Sequence, residues 1–403
     1  MARTPGHLSP AFDFGFFATK IVKLATTVFV FCVAALLALG AVMLCSAPAG
    51  SRYFGQQMLW EALGIVACGV VAFFDYRRLK HGRMPWAILG LTVWLLIAVI
   101  VPGIGVSRGG ARRWLNFHFM MFQPSELAKL TLIIVLAAYI ERFGRHMPLL
   151  WKPAIIKGLI WPGAIIGLVI GLIFLEPDYG TTALLAAVSL VMIFVAGSRV
   201  WLLLPVVLLG AGLFFLSVKN NTNRSGRMDA YFNPEKHLTG KAYQQHQAKI
   251  ALGSGGLFGV GLGDGRQKYG YVPENHTDFI LSIVGEELGL VATLGVVLAF
   301  LGIALSGTYI AAHASDRFGM MLALGITVLI SLQAFINIGV VTMVLPNKGL
   351  PLPFVSYGGS SLVMTMIGVG FILSVARHAH EPARRTRVLN PFSSREIPST
   401  RVS

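Results

Sequence analysis

Charge is scarce in this chain. Charged residues make up 12% of its 403 positions, about half of what a soluble domain of this length carries. That composition excludes an ordinary soluble enzyme. Cysteine is scarce too. Cys32, Cys45 and Cys68 all fall in or beside apolar runs and form neither a metal-ligand spacing nor a disulfide framework, so they read as inert packing residues. No nucleotide loop is present: the glycines in 253–265 match neither GxGxxG nor GxxxxGK[ST]. The two halves show no convincing repeat. A secretory signal is also lacking. The first apolar run, about 24–45, is too long for a signal core and is followed by more such runs, so it is read as a retained first helix.

What is present is apolar. Hydrophobic residues reach 55% and mean hydropathy is +0.71. A membrane span needs about 20 mostly apolar residues. Ten runs qualify, near 24–46, 56–75, 86–103, 124–140, 158–175, 181–197, 200–217, 278–306, 319–344 and 361–377. Only Gly197, Ser198 and Arg199 separate the sixth and seventh, which therefore read as a tight hairpin or a re-entrant pair. The chain is expected to be an all-α polytopic membrane protein with about ten transmembrane helices.

The net charge of +16 does not point to nucleic acid, because Lys and Arg cluster in short loops between apolar runs. Loops on one side hold 19 of them, and short loops on the other hold 5. The positive-inside rule then puts both termini in the cytoplasm. This gives a cytoplasmic segment 1–23, a transmembrane domain 24–377 with one long extracytoplasmic loop at about 218–277 between helices 7 and 8, and a basic tail 378–403. The tail is polar, expected to be disordered, and suited to anionic lipid.

The unusual residues gather on the outer side. Loop 104–123 carries Arg108, Arg112 and Arg113 against the charge trend, which suits either an anionic ligand or lipid headgroups. Trp114 fits an interfacial anchor. The next span opens QPSELAKL, with Pro124 in its first turn and Glu126 and Lys129 on one face. A lone ammonium a turn inside the membrane is costly, so Lys129 must face a polar cavity or pair with Glu126. In EPDYG at 176–180, Glu176 and Asp178 flank a proline turn; turn-forming and capping roles suit them, and two carboxylates are weak grounds for a metal.

The long loop contains a polar stretch at 243–250 that suits a short surface helix, then glycines that let backbone pack closely. It runs into GLGDGRQKYGYVPENHTDFILSIVGEELGL at 261–290. Asp278, Ser282 and Glu286 follow one another at helical spacing, with Gly285 and Gly289 beside them. A carboxylate at the mouth of a membrane helix needs a task or a partner, although an aspartate there also suits a helix cap. Gln333 and Asn337 share a face of the ninth span, placed to bond neighbouring helices or to line a cavity. The following LPNKGLPLPFVSYGGSS reads as a rigid non-helical hairpin, tolerated at membrane depth only where it is buried or lines a cavity. Lys348, Ser356, Tyr357 and Ser360 are the polar groups it presents.

Taken together, GARRW at 110–114, QPSELAK at 123–129, EPDYGTT at 176–182, GSGGLFGVGLG at 253–263, PENHTDFILSIVGEELG at 273–289 and LPNKGLPLPFVSYGGSS at 345–361 resemble the SEDS family (shape, elongation, division and sporulation), to which RodA and FtsW belong. The likeness covers nearly all of the chain. One departure is Asn275, where the family pattern has Ala or Gln. The string GLGDGRQKYGYVPENHTD looks closer to the division member than to the elongation member.

The resemblance implies a peptidoglycan glycosyltransferase of the bacterial inner membrane that polymerises lipid II. It also implies a class B penicillin-binding protein as partner, alongside other divisome or elongasome proteins. The family's essential aspartate maps onto Asp278, and its RW tryptophan onto Trp114. An α-linked donor and a β-linked product require inversion, so one base must deprotonate the acceptor hydroxyl, and Asp278 is nominated. The leaving pyrophosphate needs positive charge, for which Arg113, Lys129, Arg266, Lys268 and Lys348 are candidates, with a divalent cation (Mg or Mn) as an alternative source. Glu126, His276, Ser356 and Ser360 complete the substrate-binding candidates, and Glu286 and Glu287 are assigned supporting roles. The rival readings are a lipid II flippase and a scaffold that only recruits wall enzymes.

Overall fold

The computed structural model describes residues 14–46, 50–108, 111–116, 121–147, 155–219, 222–233, 240, 243–269 and 277–379. Helices occupy all ten of the apolar runs. They are α1 (Phe14–Ser46), α2 (Gly50–Phe73), α3 (Met84–Ile100), α4 (Pro124–Phe143), α5 (Trp161–Leu175), α6 (Tyr179–Val195) and α7 (Val200–Lys219) in the first half. Two short helices follow, α8 (Thr222–Phe232) and α9 (Tyr243–Ser254), and then α10 (Ile280–Ala312), α11 (Arg317–Val341) and α12 (Gly359–His378). Among the described residues, six helices are long and apolar enough to cross a membrane by length and composition, so the chain is a multi-pass membrane protein.

The bundle is built around α4. From Pro124 to Ala137 nearly every side chain is buried, with α3, α6, α11 and α12 packed around it. A helix surrounded on all sides needs no amphipathic stripe. Where it carries polar groups they find partners, as in the 2.8 Å hydrogen bond between the Thr92 and Thr131 hydroxyls.

The two ends of the bundle differ. At one end Lys80 binds Glu141 at 2.8 Å and Asp316 at 2.6 Å, Arg317 donates to the Ala196 carbonyl at 2.9 Å, and Arg377 donates to the Phe73 carbonyl at 2.8 Å. These are the basic loops that the charge count assigns to one side. The loops around Ser46, Arg113, Glu176, Asp278 and Lys348 meet at the other end.

Three local features depart from expectation. Segment 104–123 is not simply a loop. It folds into an antiparallel sheet of β1 (Gly105–Arg108), β2 (Ala111–Asn116) and β3 (Met121–Phe122), with Val106 opposite Trp114 and a bulge after Val106. Helix α9 lies at the surface on one face only, where Lys249 and Ile250 are exposed. Gln245, Ala248 and Ala251 are buried, and Gln245 donates to the carbonyls of Val340 and Leu345 at 3.0 Å each. Helix α8 has no counterpart in the apolar pattern, because its eleven residues are largely polar.

Helix α10 is broken at Gly289, whose φ of +77° only glycine adopts readily. The break frees backbone groups, and residues 255–261 take them up. Val260 and Gly261 donate to the carbonyls of Glu286 and Glu287 at 3.0 and 3.1 Å, and Leu290 and Val291 donate to those of Gly256 and Leu257 at 3.0 and 3.2 Å. The approach is so close that a Cβ on Gly259 would lie 2.1 Å from the Glu287 carbonyl oxygen.

Candidate active site

The site is assembled by two amides one turn apart on α11. Gln333 donates to the Pro351 carbonyl at 2.8 Å, and Asn337 donates to the Leu350 carbonyl at 2.8 Å. Together they suspend loop 345–358 from the helix. Proline offers no N–H, so this loop has fewer donors to satisfy than its length suggests. Asn337 also donates to the backbone carbonyl of Asp278 at 2.7 Å, and Ser356 donates to that of Thr277 at 2.6 Å. The backbone on both sides of the Thr277–Asp278 peptide is thereby tied to the same loop.

Asp278 is half-buried. Its Oδ2 would lie 2.9 Å from a Cβ placed on Gly349, so the carboxylate sits directly over that glycine, beside Lys348 in the chain. Burial pulls the Lys348 ammonium below its ordinary pKa. Helix α10 starts at Ile280 with Phe279 as its capping residue, so Asp278 stands one residue before the cap. The polar stripe does not act as one surface. Ser282 turns back onto the Phe279 carbonyl at 2.7 Å, and Glu286 faces the glycine-rich loop.

Beneath the loop lies a buried charge pair. Lys129 binds Glu126 at 2.7 Å and donates to Gln333 at 3.1 Å. Glu126, Lys129, Gln333, Pro353 and Thr365 line a small cavity there. Gln333 thus joins the ion pair to the loop that carries Lys348 and Ser356. Of the alternatives raised for Lys129, the pair with Glu126 is present, and the cavity that the pair lines is mostly apolar, with Leu130, Ile326, Leu329 and Ile330 in its wall. Ser360 is buried at the start of α12.

The glutamates of α10 organise the segment before Asp278. Glu286 accepts from the backbone N–H groups of Arg266 at 2.8 Å and Gln267 at 3.2 Å. Glu287 accepts from Lys268 at 2.7 Å, from the Gly263 N–H at 3.1 Å and from the Ser46 hydroxyl. Lys268 is 3% exposed and also donates to Gly263 O at 2.7 Å and Ser46 at 3.0 Å. Its ammonium belongs to this glutamate cluster rather than to the surface at Asp278, whereas the Arg266 side chain is exposed.

A third group lies at the start of α6. Arg113, on β2, donates to the carbonyls of Glu176 at 3.1 Å and Pro177. Asp178 caps α6, accepting from the Thr181 N–H at 3.2 Å and the Thr181 hydroxyl at 3.0 Å, as the turn chemistry suggests. Glu176 is 1% exposed, and neither carboxyl oxygen has a hydrogen-bond partner among the described residues. Burial first, and then the Asp178 charge, push it up to about 8, against the pull of Arg113. This turn reaches the main site through Gly180, where a Cβ would meet the Leu350 side chain at 3.1 Å. Trp114 stands half-buried beside Arg113.

His276, the departure at Asn275, the N-terminal residues 1–13 and the tail from 380 onward lie outside the described residues. Sequence reasoning overlooked Ser46, Gly349 and Glu61. Glu61 is buried in α2 and accepts from Gln57 at 3.2 Å; a carboxylate inside an apolar run was the available signal. Ser46 and Gly349 left no such mark. Among the described residues there is no group of three or more His, Cys, Asp or Glu that could hold a metal ion.

The FtsW/RodA/SpoVE family model, described as a cell cycle protein, matches residues 26–381. A probable peptidoglycan glycosyltransferase FtsW of Geobacter metallireducens is 38% identical over 327 residues, covering 81% of this chain and 85% of that relative. A chain from a peptidoglycan synthase complex, described as coordinating polymerization and crosslinking, superposes with a TM-score of 0.69 at 27% identity, covering 88% of this chain and 98% of that one. The rod shape determining protein RodA of Thermus thermophilus superposes with a TM-score of 0.65 at 29% identity, covering 87% and 96%.

Proposed function

The chain belongs to the FtsW/RodA/SpoVE family of cell cycle proteins, and from that premise we propose that it is an inverting peptidoglycan glycosyltransferase. It polymerises lipid II into β-1,4 glycan strands on the outer face of the bacterial cytoplasmic membrane. The names of its relatives support the activity. At the level of residues the reading rests on one observation. The Asp278 carboxylate lies over Gly349, with its own backbone held by Asn337 and its neighbour's by Ser356.

In this mechanism the acceptor 4-hydroxyl attacks the anomeric carbon of the donor. Asp278 takes the hydroxyl proton as the new C–O bond forms, and the bond to the lipid pyrophosphate breaks on the opposite face. A carboxylate fixed by its backbone is preorganised for this role. The leaving group departs as an anion, and Lys348 and Arg266 are the cations assigned to receive it, since Lys348 adjoins Gly349 in the chain and the Arg266 side chain is exposed. Lys129 and Lys268, each bound to a buried carboxylate, are assigned to hold the site together. Arg113 is assigned to clamp the 176–178 turn.

The likeness to a synthase complex that couples polymerization to crosslinking supports a class B penicillin-binding protein as partner. The FtsW name of several relatives favours a role in division over elongation. The test uses purified protein with lipid II, with and without a class B penicillin-binding protein, comparing wild type with Asp278→Ala. Glycan polymer from wild type alone supports the reading. No polymer in either condition, together with lipid II movement across vesicles, would replace it with a flippase.

A further inference from the structure

We infer that residues 255–263 form a re-entrant segment seated among the acyl chains of the bilayer beside α10, so that this loop is a lipid-binding surface rather than a water-exposed one. The inference is independent of the catalytic reading.

The segment reads GGLFGVGLG and contains no charged or hydrogen-bonding side chain. Its large side chains point outward: Leu257 is 61% exposed and Phe258 81%, with Val260 and Leu262 also exposed. A soluble loop rarely presents four large apolar side chains within six residues, and such a patch marks an interaction surface. The patch continues onto α10, where Leu290, Val291, Leu294 and Leu298 are exposed on a helix long and apolar enough to span a membrane. The residues that would face lipid on α10 therefore adjoin those of the loop, which is hydrogen-bonded to α10 at the break.

Irregular backbone is excluded from lipid unless its polar groups are satisfied within the protein. Here many of them are. The N–H groups of Gly259, Val260 and Gly261 donate to the carbonyls of Gly255, Glu286 and Glu287, and that of Gly263 donates to the Glu287 carboxylate. The carbonyls of Gly256, Leu257, Gly261 and Gly263 accept from Leu290, Val291, Asp264 and the Lys268 ammonium. The glycines allow this contact: a Cβ on Gly255 would lie 1.9 Å from the Gly285 carbonyl oxygen. The break at Gly289 and the loop thus satisfy one another, which is what an unwound helix in lipid requires. Polar side chains resume at the exposed Asp264 and Arg266, so the water boundary falls there.

Nitroxide labelling tests this in vesicles holding the protein alone. Cys45 is exposed and is replaced first by Cys45→Ser, while Cys32 and Cys68 are buried. Labels are then placed singly at Phe258→Cys, at Leu298→Cys as the lipid reference and at Asp264→Cys as the water reference. These side chains are exposed, so the labels spare the packing. Collision with oxygen, which partitions into lipid, is compared with collision with a water-soluble nickel chelate. The expected oxygen-to-nickel ratio at Phe258 matches Leu298 and exceeds Asp264 several-fold. A ratio at Phe258 equal to that at Asp264 overturns the inference. So does low access to both reagents, which would show a second copy of the chain covering the loop.

Discussion

The side-chain amide of Asn337 bridges two chain segments by donating to the Asp278 carbonyl at 2.7 Å and to the Leu350 carbonyl at 2.8 Å. Because Asp278 precedes α10 instead of belonging to it, this amide sets where the carboxylate sits. Asn337→Ala removes both bonds and leaves two carbonyls without a donor, costing about 1–3 kcal/mol of stability for each buried group left unsatisfied. The turnover number is expected to fall while the KM for lipid II changes little. Thermal melting and initial rates check the two halves separately, and an unchanged turnover number would refute the positioning role.

Gly349 makes a sharper case, because it lies against the group in question. A Cβ there would stand 2.9 Å from Asp278 Oδ2, the nearest atom among the described residues outside its own chain neighbours. Gly349→Ala should displace the carboxylate and leave the bundle intact. A shift of about 1 Å at a reacting group costs on the order of 10²-fold in rate. The expected result is loss of polymer formation at an unaltered melting temperature. Wild-type activity in this variant would show that the carboxylate is free to move aside.

Glu176 predicts a pH dependence. Its folded pKa of about 8 lies above the ordinary 4.5, so the folded chain holds this proton more tightly than the unfolded one. The neutral carboxyl's contribution to stability is complete below about 4.5, shrinks as pH rises and is lost once pH passes about 8. Glu176→Gln cannot ionise and should remove that slope. Melting curves from pH 5 to pH 9 should show the variant gaining on wild type as pH rises. Parallel curves would contradict the assignment.

The Lys268–Glu287 pair should behave as a buried unit. Breaking it with Lys268→Met leaves a fully buried carboxylate without its counter-charge, a loss of about 3–5 kcal/mol. Adding Glu287→Leu removes the stranded charge and should restore much of the stability. Melting temperatures of the two single variants and the double variant measure the coupling. Additive losses would show that the two residues do not act together.

The bundle was legible because a membrane span announces itself in about 20 apolar residues, and each such run became a helix. Asp278 was singled out by its motif and by the cost of a carboxylate at a helix mouth. Its surroundings left fewer marks. Nothing in the sequence distinguishes Gly289, where α10 breaks, from Gly285 four residues earlier, because the break depends on backbone groups some thirty residues upstream. The arginines of 104–123 marked that loop as unusual, but not that Arg113 would reach the carbonyls of residues 176 and 177. Lys268 looked like a ligand cation by its position in the string and proved to be buried against Glu287, a pairing that only the folded loop creates.

The most direct test replaces Asp278 by a side chain of the same size that cannot accept the proton. Lipid II polymerisation by Asp278→Asn is measured beside wild type, with lipid II binding and melting temperature as controls. The account predicts turnover reduced by about 10²–10⁴-fold, the usual scale for loss of a general base, with both controls unchanged. Polymer formed at the wild-type rate would contradict it.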